Sequence, residues 1–592
     1  MKLSSKYMRK TSIVILTFNQ LDDTKACIDS IRRFTERGTY ELIVVDNLST
    51  DGTREWLAEQ RDILTIYNDE NVGFPKGNNM GINVAAGDSI LLLNNSVIVT
   101  ENWLSLMDEC LYSSDRVGAV GPITNSAYSY QDRPVHYSSV DEMLRYARAN
   151  NISDASKWEP RIKLIGFAML IKREVIEQIG LMDEQYSPRF CEDSDYSVRI
   201  LKAGYQLMLC NNVFIHHNPS VSSDISTTTM QEHLTESRNK FRDKWGFSST
   251  SEMDLRPDLR SRITAPKDKA IRVLDVGCAC GAALLELKYH YPNAELHGVE
   301  NNRFAAEIAN LFAQIYVGDV EEGTPYTDQY FDYILLGNVL EQIVDPLAVL
   351  KELRRLLKPG GELIAGIFNA SFYQNVHQLM IGRWTYTDSG HMSKANIRYY
   401  TKLEINDLFQ QAGFSKIDFT ELVPQISDQD VRWIEQASRL TQSNQSHMRV
   451  VQYVCQVMKE GSPIKDQSEA FNNLNNEQQT NEALEYIGQL VKEGQIDCSD
   501  IIEAISQSKL EDKPHALNQL AVYFYKEDLF LYIIPLLQHA LVMTPGHRDS
   551  IYNMAFILHK AGGNDQALQY LNLLAQDDDE TKQLREEIMS QE

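Results

Sequence analysis

The segment Ile90 to Val99 reads ILLLNNSVIV, an unbroken apolar run that gives way at once to Asn94, Asn95 and Ser96. Strands of a parallel sheet covered on both faces read this way. In open α/β sheets, ligands bind just beyond the carboxyl ends of such strands. The segment therefore calls for an α/β architecture and puts three polar side chains where a ligand would sit.

The flanking sequence extends the pattern. Ser12 to Leu16 reads as a strand, Leu21 to Phe34 as a helix, and Tyr40 to Val45 as a strand ending at Asp46. Strands alternating with helices imply a parallel sheet. This first domain covers residues 1–255. Residues 256–270 are polar, carry two prolines and read as a linker. Ile271 to Asp275 restarts an α/β pattern, so residues 271–460 make a second domain. Residues 461–481, rich in Asn, Gln and Glu from Asp466 onward, read as a loose connection. At 592 residues and 43% hydrophobic, the chain has room for three or four cores.

Residues 482–592 are helical and repeat. Leu520-Ala521 recurs 34 residues later as Met554-Ala555, and Ala540 recurs as Leu574. Pro545 closes one unit, and Gly562-Gly563 marks a turn in the next. Ala567 takes a small-residue position that Ile533 fills in the first unit, and Pro535 falls inside an expected helix. The pattern resembles tetratricopeptide repeats, an all-α fold; an ordinary helical bundle is the alternative.

Charge and cysteine usage narrow the class. A net charge of −25 argues against nucleic acid and anionic membranes as partners. No apolar run approaches the ~20 residues of a membrane span. The N-terminal MKLSSKYMRK is basic but runs into a strand rather than a signal-peptide core. Eight scattered cysteines without metal spacing read as reduced thiols, so the expected location is cytoplasmic.

Polar and glycine-rich turns follow each early strand. Thr17 to Asn19 follow the first, Asp46 to Thr53 the second, and Asn71 to Ile82 the third, opening a helix. A nucleotide base needs a hydrogen-bonding acid, which suits Asp46. A diphosphate needs backbone approach through glycine, which suits Gly73, Gly77 and Gly81. Taken singly, Asp46 can as well cap a turn and the glycines can merely form turns.

In this order the motifs resemble family 2 glycosyltransferases of the GT-A fold, closest to their rhamnosyltransferase-like branch, over about residues 10 to 245. Gly166 to Arg173, Ile179 to Glu184, Cys191 to Arg199 and Ile215 to His217 agree with it. The resemblance implies a nucleotide-sugar donor bound by Thr17, Asn19, Asp46, Gly73, Lys76, Asn78, Asn94 and Asn95. It implies inverting transfer with Asp193 as base and Glu192 and Asp195 positioning the acceptor or the loop. Where the family places a metal-binding acid, this chain has Ser96. Ser96 with His216 or His217 would then hold Mn²⁺ or Mg²⁺ as poor substitutes. The alternatives are a leaving group neutralised by backbone amides and Lys76, or a domain that binds without turnover.

A second site begins at Val273. A strand ends in Asp275, and the loop Gly277 to Gly281 opens a helix. Glu300 stands nineteen residues after Gly281, where an acid grips ribose hydroxyls. A glycine loop alone fits a dinucleotide fold. With Gly318-Asp319, Gly337-Asn338 and the Leu356 to Gly361 turn, the stretch resembles Rossmann-like class I S-adenosylmethionine-dependent methyltransferases over about residues 265 to 460. The resemblance implies that Asp275, Gly277, Gly281, Glu300, Asp319 and Asn338 bind S-adenosylmethionine. Glu341-Gln342 stands where the family often has Glu-His, and His377 and His391 lie in a lid-like stretch, Ser371 to Tyr400.

The expectation is an α/β multidomain enzyme with a TPR-like tail. It transfers a sugar to a glycan, protein or peptide acceptor, which the tail can dock, and methylates the same glycan. The rival is a scaffold with an impaired transferase domain and methyltransferase activity only.

Overall fold

The computed structural model describes residues 9–590, apart from 128–129, 219–226, 389, 415–416, 442–444, 460–469, 476–479, 575 and 577. The basic N-terminal stretch up to Met8, and much of the expected 461–481 connection, lie outside the described residues.

The first domain is built on an eight-stranded sheet. Its parallel half comprises β1 (Thr11–Thr17), β2 (Tyr40–Asp46), β3 (Ile63–Tyr67) and β4 (Ser89–Asn94). A short β5 (Val97–Ile98) follows, then β6 (Val117–Ile123), β7 (Trp158–Arg161), β8 (Ala168–Lys172) and β9 (Gln206–Phe214). The spatial order is β3-β2-β1-β4-β8-β6-β9-β7. Ile13 to Ile15 and Ile90 to Leu92 are wholly buried, as strands covered on both faces must be. The chain leaves β1 toward β2 on one side, and β4 lies on the other. That reversal opens a crevice at the carboxyl ends, at Thr17 and Asn94. Beside it a two-residue strand, β10 (His216–His217), pairs with β5.

The second domain repeats the logic. Its strands are β11 (Arg272–Val276), β12 (Glu295–Glu300), β13 (Gln314–Val317), β14 (Phe331–Gly337), β15 (Leu357–Phe368), β16 (Ile417–Leu422) and β17 (Gln452–Met458). They lie in the order β13-β12-β11-β14-β15-β17-β16, parallel except for β17. Its switch point falls at the ends of β11 and β14. Beyond it, helices Lys513–Lys526, Ile533–Met543, Arg548–Lys560 and Asn564–Leu571 form two successive hairpins. Leu520 and Met554 are both buried, as are Ala521 and Ala555. Pro535 sits in the first turn of its helix, where a missing N–H costs little.

Neither expected connection is a free linker where it is described. Within 256–270, a short helix (Pro257–Arg260) and Ile263 bury Leu259 and Ile263 in the core of the second domain. Within 461–481, Phe471 and Leu474 are buried in the core of the helical region. The two α/β domains also share a core. Leu201, Phe241, Phe247 and Met253 pack with Cys280, Leu285, Ala305 and Ile308. Lys202 pairs with Glu307 at 2.9 Å, and the Tyr289 hydroxyl donates to the Ser156 carbonyl across the same boundary.

Candidate functional site

At the first switch point the side chains form an interlocked rim. The Thr17 hydroxyl meets that of Thr24 at 2.9 Å, and the Asn95 amide donates to Thr24. Asn19, with a positive φ of 56°, accepts from the Thr50 amide and donates its own amide to the Ser49 hydroxyl. Asp46 is fully buried at the end of β2. Its carboxylate accepts from the Ser49 amide and pairs with Arg54 at 3.1 Å, which fixes the loop after β2. Lys76 lies in the first turn of the helix Phe74–Val84, and Asn78 turns back to the Phe74 carbonyl.

Two of the predicted phosphate glycines have another job. A Cβ on Gly77 would fall 2.4 Å from Leu16, and one on Gly81 2.3 Å from Val14. These glycines let the helix lie against β1, so they approach the sheet rather than a diphosphate. Gly73 remains at the crevice. Its φ is 84°, and a Cβ there would strike the backbone of Pro188 at 2.7 Å.

That contact brings the acidic turn into the site. The Phe74 amide donates to the Pro188 carbonyl at 2.7 Å. Phe190 and Cys191 then hold left-handed φ values of 81° and 68° before the helix Glu192–Lys202 begins. Consecutive non-glycine residues in that region are strained, and such strain gathers at functional sites. Asp193 accepts from the Gly166 amide at 3.1 Å and from the Ser194 amide at 2.7 Å. The neighbouring Phe167 carbonyl accepts from the Asn94 amide at 2.9 Å. Two adjacent backbone groups therefore tie the acidic turn to the end of β4. Burial raises the pKa of Asp193. Burial, with the charge of Asp193, pushes Glu192 up to about 8. Oε2 of Glu192 is buried with no hydrogen-bond partner among the described residues.

Asp195 is not available to an acceptor. It is wholly buried, pairs with Arg199 and with Lys244 at 2.6 Å, and accepts from the Trp245 indole. It anchors this helix to the helix Thr227–Trp245.

The residues expected to hold a metal do not make a cation site. Both ring nitrogens of His216 are engaged, with the Tyr137 hydroxyl and with Asn218. Nδ1 of His217 meets the Ser126 carbonyl, and its ring stacks on Phe167. Ser96 is buried, and its carbonyl accepts from the Asn218 amide. What remains is one imidazole nitrogen and a hydroxyl, a poor set for a hard divalent cation that favours carboxylates. Among the described residues no group of three or more His, Cys, Asp and Glu is placed to hold a metal.

The second site is a cluster of buried acids. Asp275, at the end of β11, is pushed up to about 7 by burial, with Arg256 opposing and Glu300 adding to the shift. Glu300 accepts from the Ala279 amide at 2.7 Å and the Asn302 amide at 2.8 Å, and burial raises its pKa. Gly277 and Gly281 turn the loop with φ values of 69° and 76°. Asp319 caps a short turn by accepting from Glu321, and Asn338 (φ 60°) donates its amide to the Gly366 carbonyl. Buried carboxyls with so little cationic company suit a ligand carrying a sulfonium, an ammonium and ribose hydroxyls. S-adenosylmethionine fits that description.

Two residues of this site went unread in the sequence. The Glu252 carbonyl accepts from the Cys280 amide and its carboxylate accepts from the Asn302 side chain, so it stands beside the glycine loop. Burial raises its pKa, with Glu300 adding to the rise. Arg256 lays its guanidinium between Gly337 and Gly366, where a Cβ on either glycine would fall 2.4 Å from it. Asp258 holds it through two bonds of 3.0 and 2.7 Å. Arg256 lies in the stretch that composition marks as a linker, and Glu252 at the very end of the first expected domain.

A family model described as Glycosyl transferase family 2 matches residues 12–180, and one described as Methyltransferase domain matches residues 251–418. The chain is 29% identical over 161 residues to the ubiquinone biosynthesis O-methyltransferase of Cereibacter sphaeroides, covering 25% of this chain and 62% of that protein. It is 25% identical over 248 residues to the uncharacterized protein y4gI of Sinorhizobium fredii, covering 39% and 26%. The chain thus spans less than two thirds of the length of these curated relatives. A mannosyltransferase of Pyrobaculum calidifontis, solved with GDP-Man and Mn²⁺, matches at 19% identity over 40% of this chain and 65% of that one, with a TM-score of 0.31. The chain joins a family 2 glycosyltransferase domain to a methyltransferase domain.

Proposed function

We propose that this chain is a bifunctional transferase that adds a sugar to an acceptor and methylates the same glycan. The observation that carries the first half is the placement of Asp193, held by the Gly166 amide beside the end of β4. In this reading the sugar nucleotide lies across the crevice between β1 and β4, in the manner of the rhamnosyltransferase-like branch. Asp193 takes the proton of the acceptor hydroxyl as its oxygen attacks the anomeric carbon. The bond from that carbon to the diphosphate breaks on the opposite face, so configuration inverts. Lys76 meets the charge of the departing diphosphate, and no step passes through a metal.

In the second domain Asp275 and Glu300 hold the amino acid and ribose parts of S-adenosylmethionine, with Asp319 and Asn338 at the adenine side. The bound cofactor supplies an electrophilic methyl group. The protein's part is to place an acceptor oxygen in line with it and to exclude water. Joining the two domains raises the effective concentration of one product at the second site. The helical hairpins, read as TPR-like repeats, dock a protein or glycan acceptor.

Asp193→Asn is expected to abolish sugar transfer and leave S-adenosylmethionine binding intact. Gly277→Val should do the reverse, since a Cβ there falls 2.6 Å from Val339 at a left-handed φ. Transfer assays over a panel of sugar nucleotides, paired with calorimetry, check both. Undiminished transfer by Asp193→Asn would remove Asp193 from its role.

A further inference from the structure

A cavity of about 690 Å³ opens beside the ends of β15 and β17, on the same edge of the second sheet as the glycine loop. That is the size of a small-molecule site. Its place follows from the chain. Phe368 ends β15, and its amide donates to buried Glu341 at 2.8 Å. The His391 ring lies 4.3 Å from that of Phe368 and meets the Asn375 amide at 3.1 Å. From there the cavity runs outward between the helices Tyr373–Met380 and Asp428–Thr441.

The lining mixes flat apolar faces with hydrogen-bonding groups. Trp433 and Trp384 supply rings. His377 stands edge-on to Trp433 at 5.1 Å, so the indole is held in one orientation. Asp430 accepts from the Tyr373 hydroxyl at 3.2 Å and the Ser427 hydroxyl at 2.7 Å, both on the same carboxylate oxygen. Gln374 donates to that Tyr373 hydroxyl at 3.1 Å. A phenol needs apolar walls and one polar point. A pyranose needs an aromatic face for its C–H side and several donors and acceptors around its rim. The lining matches the second requirement.

We propose that this cavity is the methyl-acceptor site and that it takes a pyranose ring. Trp433 covers one face of the sugar, while Asp430, Gln374 and His377 bind its hydroxyls. The inference rests on the bifunctional reading given above and makes it specific, because it puts a sugar at the second site as well as the first.

The test uses the full chain saturated with S-adenosylhomocysteine. Binding of methyl α-L-rhamnopyranoside, methyl α-D-mannopyranoside and catechol is followed by saturation-transfer NMR. Methyl transfer from S-adenosylmethionine to the same compounds is followed by mass spectrometry. The expected result is binding of a glycoside that Trp433→Ala weakens about tenfold, with S-adenosylhomocysteine affinity unchanged. Gln374→Ala, on an exposed residue, should weaken it in the same direction without touching the core. Binding of catechol but of neither sugar would overturn the proposal. So would sugar methylation that both variants leave untouched, although the bifunctional reading would then survive. Sugar binding that both variants abolish, with no sugar ever methylated, would leave a pyranose-binding cavity but overturn its assignment as the methyl-acceptor site, and defeat the methylating half of that reading with it.

Discussion

Asp193 and Asp275 do comparable work in the two domains, each a carboxyl taken out of water at a strand or helix end. Burial disfavours the charged form, so a partner that needs the negative charge must supply the compensation. For Asp275 the consequence is a measurable pH dependence. Its pKa of about 7 lies above the ordinary carboxylate value. Stability from this group is therefore fully present below pH ~4 and lost as pH rises toward 7. A cationic ligand favours the ionised form and reverses that loss. S-adenosylmethionine should thus bind more tightly as pH rises, by up to about tenfold per unit below pH 7, and release a proton on binding. Calorimetry in buffers of differing ionisation heat reads both, and Asp275→Asn should flatten the profile.

At the scale of elements, the helix Phe74–Val84 shows what a sequence discloses and what it conceals. Its start was legible because Gly73 and Pro75 punctuate the end of a strand. The purpose of Gly77 and Gly81 was not. A glycine reports only that something comes close, and here that something is β1. Gly77→Ala should cost ~1–3 kcal/mol through overpacking against Leu16, read as a lowered denaturation midpoint, with any loss of activity following from it. The long buried strands were readable for the same reason that they are buried: parallel sheets covered on both faces leave continuous apolar runs. The two-residue pair β5 and β10 was not, because so short a ladder leaves no periodicity. Asp195 looked like a member of an acidic cluster until the fold brought Lys244 and Trp245 to it from fifty residues away.

At the scale of the whole molecule, polar composition concealed a structural brace. Residues 246–255 touch both α/β domains. The Lys163 ammonium donates to the Ser249 carbonyl in the first domain, while Asn302 of the second donates to the Gly246 carbonyl at 2.8 Å. With a shared apolar core beneath, residues 9–458 should unfold in a single cooperative transition, and limited proteolysis should not cut between the two α/β domains. Two resolved calorimetric transitions for them would contradict this. Domain boundaries drawn from composition placed a linker where Arg256 lies against Gly337 and Gly366, and assigned Glu252 to the first domain although it bonds to Cys280 and Asn302 of the second.

Both active centres are proposed to work on one glycan. The direct measurement is the mass of an acceptor incubated with sugar nucleotide and S-adenosylmethionine together. The expected product is acceptor carrying one sugar plus one methyl, with sugar alone for Gly277→Val and no sugar-bearing product for Asp193→Asn. Methylated acceptor that bears no added sugar, formed equally well by Asp193→Asn, would contradict it.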